Sequence, residues 1–210
     1  RNGSNFEGGT SNGEIITNRQ AVTLIYVDAT QGWVPTAESD SSFQQPLFVT
    51  ATGGTETTCG DFKIHTFTGP GTFCVSCAGN PIGSDTVDYM IVAGGGGGAA
   101  NASGGGGGGG GFRESSGAAS GCYTASPLGA GVSALPVSAS PYPITVGGGG
   151  AGGTPGAPDS GVNGLNSVFS TITSAGGGSG SQDADGGDGG SGGGQRYWRV
   201  SRPSGNTPPV

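Results

Sequence analysis

The sequence predicts an all-β fold: a small N-terminal β unit and a β-sheet platform, followed by a glycine-rich domain of packed polyglycine II helices with loops. Three observations lead there. Only 31% of the 210 residues are apolar, against about 45–50% in a usual globular domain, so one large hydrophobic core is not expected. Glycine supplies 50 residues, 12 of them in residues 1–93 and 38 in residues 94–210, so the chain changes character near Ala93. Finally, three apolar, strand-like segments run straight into glycine runs: Tyr89–Ala93, Pro143–Val146 and Phe169–Ala175.

Residues 1–46 read as the N-terminal β unit and a linker. Asn12-Gly13 is a hairpin-turn signal beside the short strand Glu14–Thr17, and Ala21–Val27 (AVTLIYV) has strand composition. Gln31–Pro46 is polar and proline-containing, which predicts a loop. Residues 47–93 form the platform: Phe62–Thr68, Gly71–Cys77 and Val87–Ala93 are rich in β-branched and aromatic residues and are separated by Gly-Pro or Asn-Pro.

Residues 94–194 hold glycine runs at 94–98, 104–111, 147–153 (with Ala151), 176–180 (with Ser179) and 186–194. No Gly-X-Y period is present, which excludes a collagen helix. A flexible linker has no reason to start repeatedly from strands, so the runs are read as ordered rods. Polyglycine can adopt the threefold helix of polyproline II, rising about 3.1 Å per residue without internal hydrogen bonds. Lacking Cβ atoms, such rods can approach until the amides of one bond the carbonyls of the next. Fixing glycine costs on the order of 1–2 kcal/mol per residue, more than one net hydrogen bond returns, so rods must pack together to persist. Ala99–Ser103 then turns between two rods, and Phe112–Tyr142, Pro155–Asn166 and Ser181–Asp185 are expected as loops or caps. In residues 195–210, Tyr197–Val200 reads as a final strand.

Charge and composition exclude several functions. A net charge of −7 with a single lysine, Lys63, disfavours nucleic acid. No run of about 18 apolar residues is present, and Arg1–Phe6 lacks the basic-then-apolar pattern of an export signal, so neither membrane insertion nor Sec export is expected. No glycine run is followed by Lys-Ser or Lys-Thr, which argues against a phosphate cradle. The only histidine, His65, sits in the strand-like KIHTF and is read as structural, and the fourteen acids are scattered. No enzyme activity and no cofactor are expected. Cys74 and Cys77 form a lone CxxC without a second ligand pair, so Cys59, Cys74, Cys77 and Cys122 are read as structural thiols or disulfides. Asp183, Asp185 and Asp188 fail calcium-loop spacing and are read as a solvated acidic turn, so no metal site is expected.

The stretches KIHTFTGPGTFCVSCAGNP (63–81), SDTVDYMIVAGGGGGA, YPITVGGGGAGG and NSVFSTITSAGGG resemble the glycine-rich domain of tail-fibre and related structural proteins of marine bacteriophages, notably those of cyanobacteria. NGSNFEGGTSNGEIITNRQAVTLIYVDATQGWV is similar to the small β repeat that often precedes it. The resemblance covers nearly the whole chain and departs from the pattern at Gln195–Arg202. It implies a virion tail-fibre or appendage protein, extracellular, often a homotrimer, contacting other virion proteins, with host attachment through loops that bind a cell-surface glycan or protein. Capsid-decorating or appendage-linking architecture and a bacterial surface filament are the alternatives. Phe112, Arg113, Glu114, Tyr123 and Tyr142 are the receptor-binding candidates, because aromatic faces and an arginine fork suit saccharide or protein surfaces. The same aromatics could instead cap the array. Tyr197, Trp198 and Arg199 are the candidates for a subunit interface.

Overall fold

In the computed structural model, residues 23–35, 46–101, 103–115, 132–156, 159–196 and 202–205 are described. They hold thirteen short strands and no helix. The all-β expectation therefore stands. The chain divides into two compact units, residues 1–50 with 76–86, and residues 51–75 with 87–210.

In the first unit, β1 (Leu24–Tyr26) pairs antiparallel with β2 (Trp33–Pro35). The connecting turn is built by Asp28, whose carboxylate accepts the amides of Thr30 (2.8 Å) and Gln31 (2.7 Å). Tyr26 and Trp33, opposite each other, meet edge to face at 5.5 Å. Trp33–Pro35 lies in the stretch read as a loop, because aspartate-built turns are weaker sequence signals than Asn-Gly. The expected strand Glu14–Thr17 lies outside the described residues. Elsewhere in this unit the Asn80 side-chain oxygen accepts the amides of Leu47 and Gly83, which closes a loop onto the Leu47 backbone.

The second unit contains most of a five-stranded sheet in the order β13 (Ile172–Ser174), β12 (Ser167–Phe169), β11 (Pro141–Thr145), β6 (Gly71–Cys77), β3 (Thr50–Thr52), whose β13–β12, β12–β11 and β11–β6 pairs are antiparallel. Its small apolar core is Phe73, Val75 and Phe169 with Ala51. Phe73 stacks edge to face on Phe169 (5.9 Å) and on His65 (5.1 Å), and His65 Nδ1 lies 2.8 Å from the Gly53 carbonyl. Gly53 has φ +111°, and a Cβ there would lie 2.0 Å from the Thr72 carbonyl, so the step from β3 into β4 (Thr55–Cys59) requires glycine. β4 pairs with β5 (Phe62–Thr66), and β8 (Met90–Val92) with β9 (Phe112–Glu114). The remaining strands, β7 (Thr86–Val87) and β10 (Leu135–Pro136), are two residues each.

Most of this unit is glycine array. Five strands continue directly into extended segments: β8 into rod 1 (93–100), rod 2 (104–111) into β9, β11 into rod 3 (147–153), rod 4 (159–166) into β12, and β13 into rod 5 (175–181). Rod 6 (186–194) doubles back near residue 190. Backbone bonds between rods recur every third residue. Rod 1 donates to rod 2 from Ala93, Gly96 and Ala99, whose acceptors are Gly111, Gly108 and Gly105. One residue along, Gly94, Gly97 and Ala100 donate instead to Leu165, Val162 and Asp159 of rod 4. Partners thus change direction residue by residue and return after three. The pairings place rods 3, 1 and 2 side by side in one layer and rods 4, 5 and 6 in a second beneath it.

Rod 5 is the centre. Every amide from Gly176 to Ser181 and every carbonyl from Ala175 to Ser181 has a partner, shared among rods 1, 2, 4 and 6 and two asparagine side chains. All of its residues but Ser179 are buried. An alanine Cβ at Gly177 would lie 2.1 Å from the Gly108 carbonyl, and at Gly178 1.8 Å from the Gly187 carbonyl. The absence of side chains is what lets the amides meet.

Pro155–Asn166 is not wholly the expected loop, since residues 159–166 form rod 4. Its pattern GVNGLN keeps glycine at 161 and 164, where a Cβ would lie 2.1 Å from the carbonyls of Gly97 and Gly94. The intervening positions face outward. Asn163 and Asn166 use that freedom: their side-chain oxygens accept the amides of Ser179 (2.7 Å) and Gly176 (2.8 Å), standing in for a further rod beneath rod 5.

Two substitutions separate lattice glycines from surface ones. Gly177→Ala is expected to cost at least about 1–3 kcal/mol, the usual range for forced overpacking. Gly148→Ala, with nothing within 4 Å of its added carbon, should be neutral or stabilising by up to about 1 kcal/mol through the unfolded chain. Denaturant unfolding of both variants checks the contrast. In hydrogen exchange, the amides of Gly177, Gly178 and Gly180 should be among the slowest of the chain.

Candidate functional site

β8, β9, β11, β12 and β13, which continue into rods, lie at one end of them, and the connections at the far end form a polar tip. There rod 1 turns into rod 2 through Asn101, which takes the left-handed conformation (φ 70°) that asparagine tolerates better than most residues. Its side-chain amide donates to Asp159 (3.0 Å), and the same carboxylate oxygen accepts the Gly156 amide (3.1 Å). Ser160 and Ser181 hydroxyls meet at 2.9 Å, and Ser181 Oγ accepts the Ala184 amide. Arg196 Nη1 lies 3.5 Å from the exposed Asp183 carboxylate, and Gln195 accepts the Gly186 amide. Asn101, Ser103, Thr154, Pro155, Asp183 and Asp185 are exposed around these anchors. The tip presents acids, amides and hydroxyls on a tied-down backbone, a donor and acceptor set suited to a polar ligand.

At the strand end, the sequence candidates separate into two groups. Phe112, Arg113 and Glu114 are consecutive on β9. Phe112 is 44% exposed opposite Val92, and with Val92 and Met90 it adds apolar surface to the β8–β9 pair. Arg113 donates to the Phe112 carbonyl (3.0 Å), and Glu114 is buried. Behind them the Ser115 hydroxyl donates to Asp88 (2.7 Å) and accepts the Tyr89 amide. Tyr142 is on β11, in the five-stranded sheet, with its ring 6.0 Å from Phe169. Its hydroxyl accepts the Ser138 amide at 2.8 Å. That geometry packs the Tyr142 ring against the aromatic core. Hydrogen bonds from the Ser138 side chain, then the Ser138 backbone, then the Ser140 hydroxyl hold the phenol below its usual range, against a small opposing effect of desolvation. Tyr123, Tyr197, Trp198 and Arg199 lie outside the described residues.

The tip residues were not among the candidates from sequence. Their signal was faint: Asn101 between two glycine runs, and aspartates bordering the others. Cys59 is disulfide-bonded, whereas Cys74 and Cys77 are free thiols. No cluster of histidine, cysteine or carboxylate able to hold a metal occurs among the described residues.

A family model described as a glycine-rich domain matches residues 68–208. This span takes in β6 and all six rods. No curated protein and no solved structure matches the chain.

Asp159→Ala should remove the anchor shared by Asn101 and Gly156 and speed exchange of the Ala100 amide, which donates to the Asp159 carbonyl, while rod 5 stays protected. Loss of protection throughout the array would count against a local role. In a spectrophotometric titration of the phenols, one tyrosine should ionise below the ordinary value near 10, and Tyr142→Phe should abolish that component.

Proposed function

The chain belongs to the glycine-rich domain family, and from that premise we propose that it is a virion component of a bacteriophage, a tail fibre or adhesin that attaches the particle to its host's surface. The observation carrying this reading is rod 5, paired along its whole backbone at the centre of two layers. Such an array is stiff without a large apolar core, and it holds its connections at fixed positions. Attachment needs that combination: exposed loops bind with less loss of affinity when they are already ordered. The polar tip, with its amides, hydroxyls and acids, suits a surface saccharide or a polar protein patch, and the Phe112, Val92 and Met90 surface offers an apolar contact at the other end. The low count of basic groups and the acidic balance favour such partners over nucleic acid.

Immunogold labelling of phage particles with antibody to the chain should decorate tail fibres, and the purified chain should bind intact host cells or their surface polysaccharide. Replacing residues 116–131 by a short linker, or combining Asn101→Ala with Asp183→Ala, should weaken that binding at least tenfold while the rod amides remain protected. Decoration of particles without any cell binding would favour an architectural or appendage-linking role. Failure of both would end the proposal.

A further inference from the structure

The two outer faces of the array are finished differently. Beneath rod 5, Asn163 and Asn166 turn their side chains onto the backbone and accept its outward amides. Val162 and Leu165 add exposed apolar groups to rod 4, which carries these asparagines. Among the described residues, the face of rods 1, 2 and 3 carries no such cover. Its outward positions, again three residues apart, are Gly95 and Gly98, Gly106 and Gly109, Gly149 and Gly152, and none of their amides has a partner among the described residues. The carbonyls of Gly96, Gly107, Gly149 and Gly152 are likewise unpaired.

Nor does the chain's own packing require glycine there. A Cβ at Gly106 would meet nothing within 4 Å, and at the other five its nearest neighbour would lie at 3.6 to 3.8 Å, ordinary van der Waals distance. By contrast Gly94, Gly97, Gly107, Gly110 and Gly150 would each place a Cβ about 2 Å from a carbonyl. Glycine at a tolerant position only adds backbone entropy to be lost on folding. The face thus combines unsatisfied amides, unsatisfied carbonyls and an absence of Cβ atoms, all at the three-residue step by which the rods inside the array bind one another.

We propose that this face docks on the same face of a second copy of the chain across a twofold axis, extending the interior ladder between molecules. Rows of unpaired backbone groups invite pairing with another backbone. A partner bearing side chains could approach only at scattered points, whereas a second glycine face at the same step can meet all three rods. The face is uncharged, so the chain's net charge of −7 is not concentrated at the contact. The contact is isologous and closes as a dimer, so it does not generate a filament. It is independent of the attachment reading and differs from the trimer that the family resemblance implies.

Sedimentation equilibrium of the 210-residue chain from low to high micromolar concentration should show a monomer–dimer equilibrium. Gly106→Glu with Gly149→Glu should shift it at least tenfold toward monomer while leaving the circular dichroism and midpoint of unfolding unchanged. As a control free of substitution, exchange of the Gly95 and Gly98 amides should slow as protein concentration rises, while that of Gly177 should not change. A monomer at all concentrations, a trimer, or a dimer whose Gly95 and Gly98 amides exchange equally fast at every concentration would overturn the proposal.

Discussion

Backbone amides meeting backbone carbonyls without intervening Cβ atoms are the interaction on which the rest of the structure depends. In an ordinary domain, side chains bury apolar area and secondary structure satisfies the backbone. Here the two tasks merge, because the buried material is itself backbone. Rod 5 has no large side chain, yet it occupies the position of a hydrophobic core and is paired on every side. Each bond contributes only about 0.5–1.5 kcal/mol net, so one rod alone would not hold. Closely packed neighbours make the pairing collective.

The strands solve the problem of starting such an array. A glycine rod has no side chain to fix its direction or register. Attaching five rods to β8, β9, β11, β12 and β13 fixes one end of each by conventional means: sheet hydrogen bonds and the aromatic contacts of Phe73, Phe169 and Tyr142. Asn101, Asp159, Ser160 and Ser181 then tie the opposite end. A small apolar sheet thereby sets the geometry of a much longer hydrogen-bonded assembly, and the tip inherits its rigidity.

Side chains appear where the lattice leaves space, and two kinds of surface result. Rod 4 shows the first: glycine at 161 and 164 faces the lattice, while Val162, Asn163, Leu165 and Asn166 face out, the asparagines sealing rod 5. The outer face of rods 1, 2 and 3 shows the second, bare and unpaired among the described residues. The proposed adhesion and the proposed self-association therefore call on different parts of the molecule, the connections at the rod ends and the flank of the array.

Sequence alone determined the all-β class, the change of composition near Ala93 and strands such as Gly71–Cys77. These are local properties, written in composition and in period. GVNGLN of rod 4 has too few glycines to stand out from turn sequence and reads as a loop; only its neighbours show that every third position suffices. Trp33–Pro35 was hidden in the same way, since a three-residue strand exists only through the partner it pairs with. The positions of Phe112 and Tyr142 on separate sheets, the polar tip and the bare flank were likewise beyond the sequence. Which rods adjoin is decided by partners far apart along the chain, and glycine, having no side chain, carries no label of the neighbour it will meet.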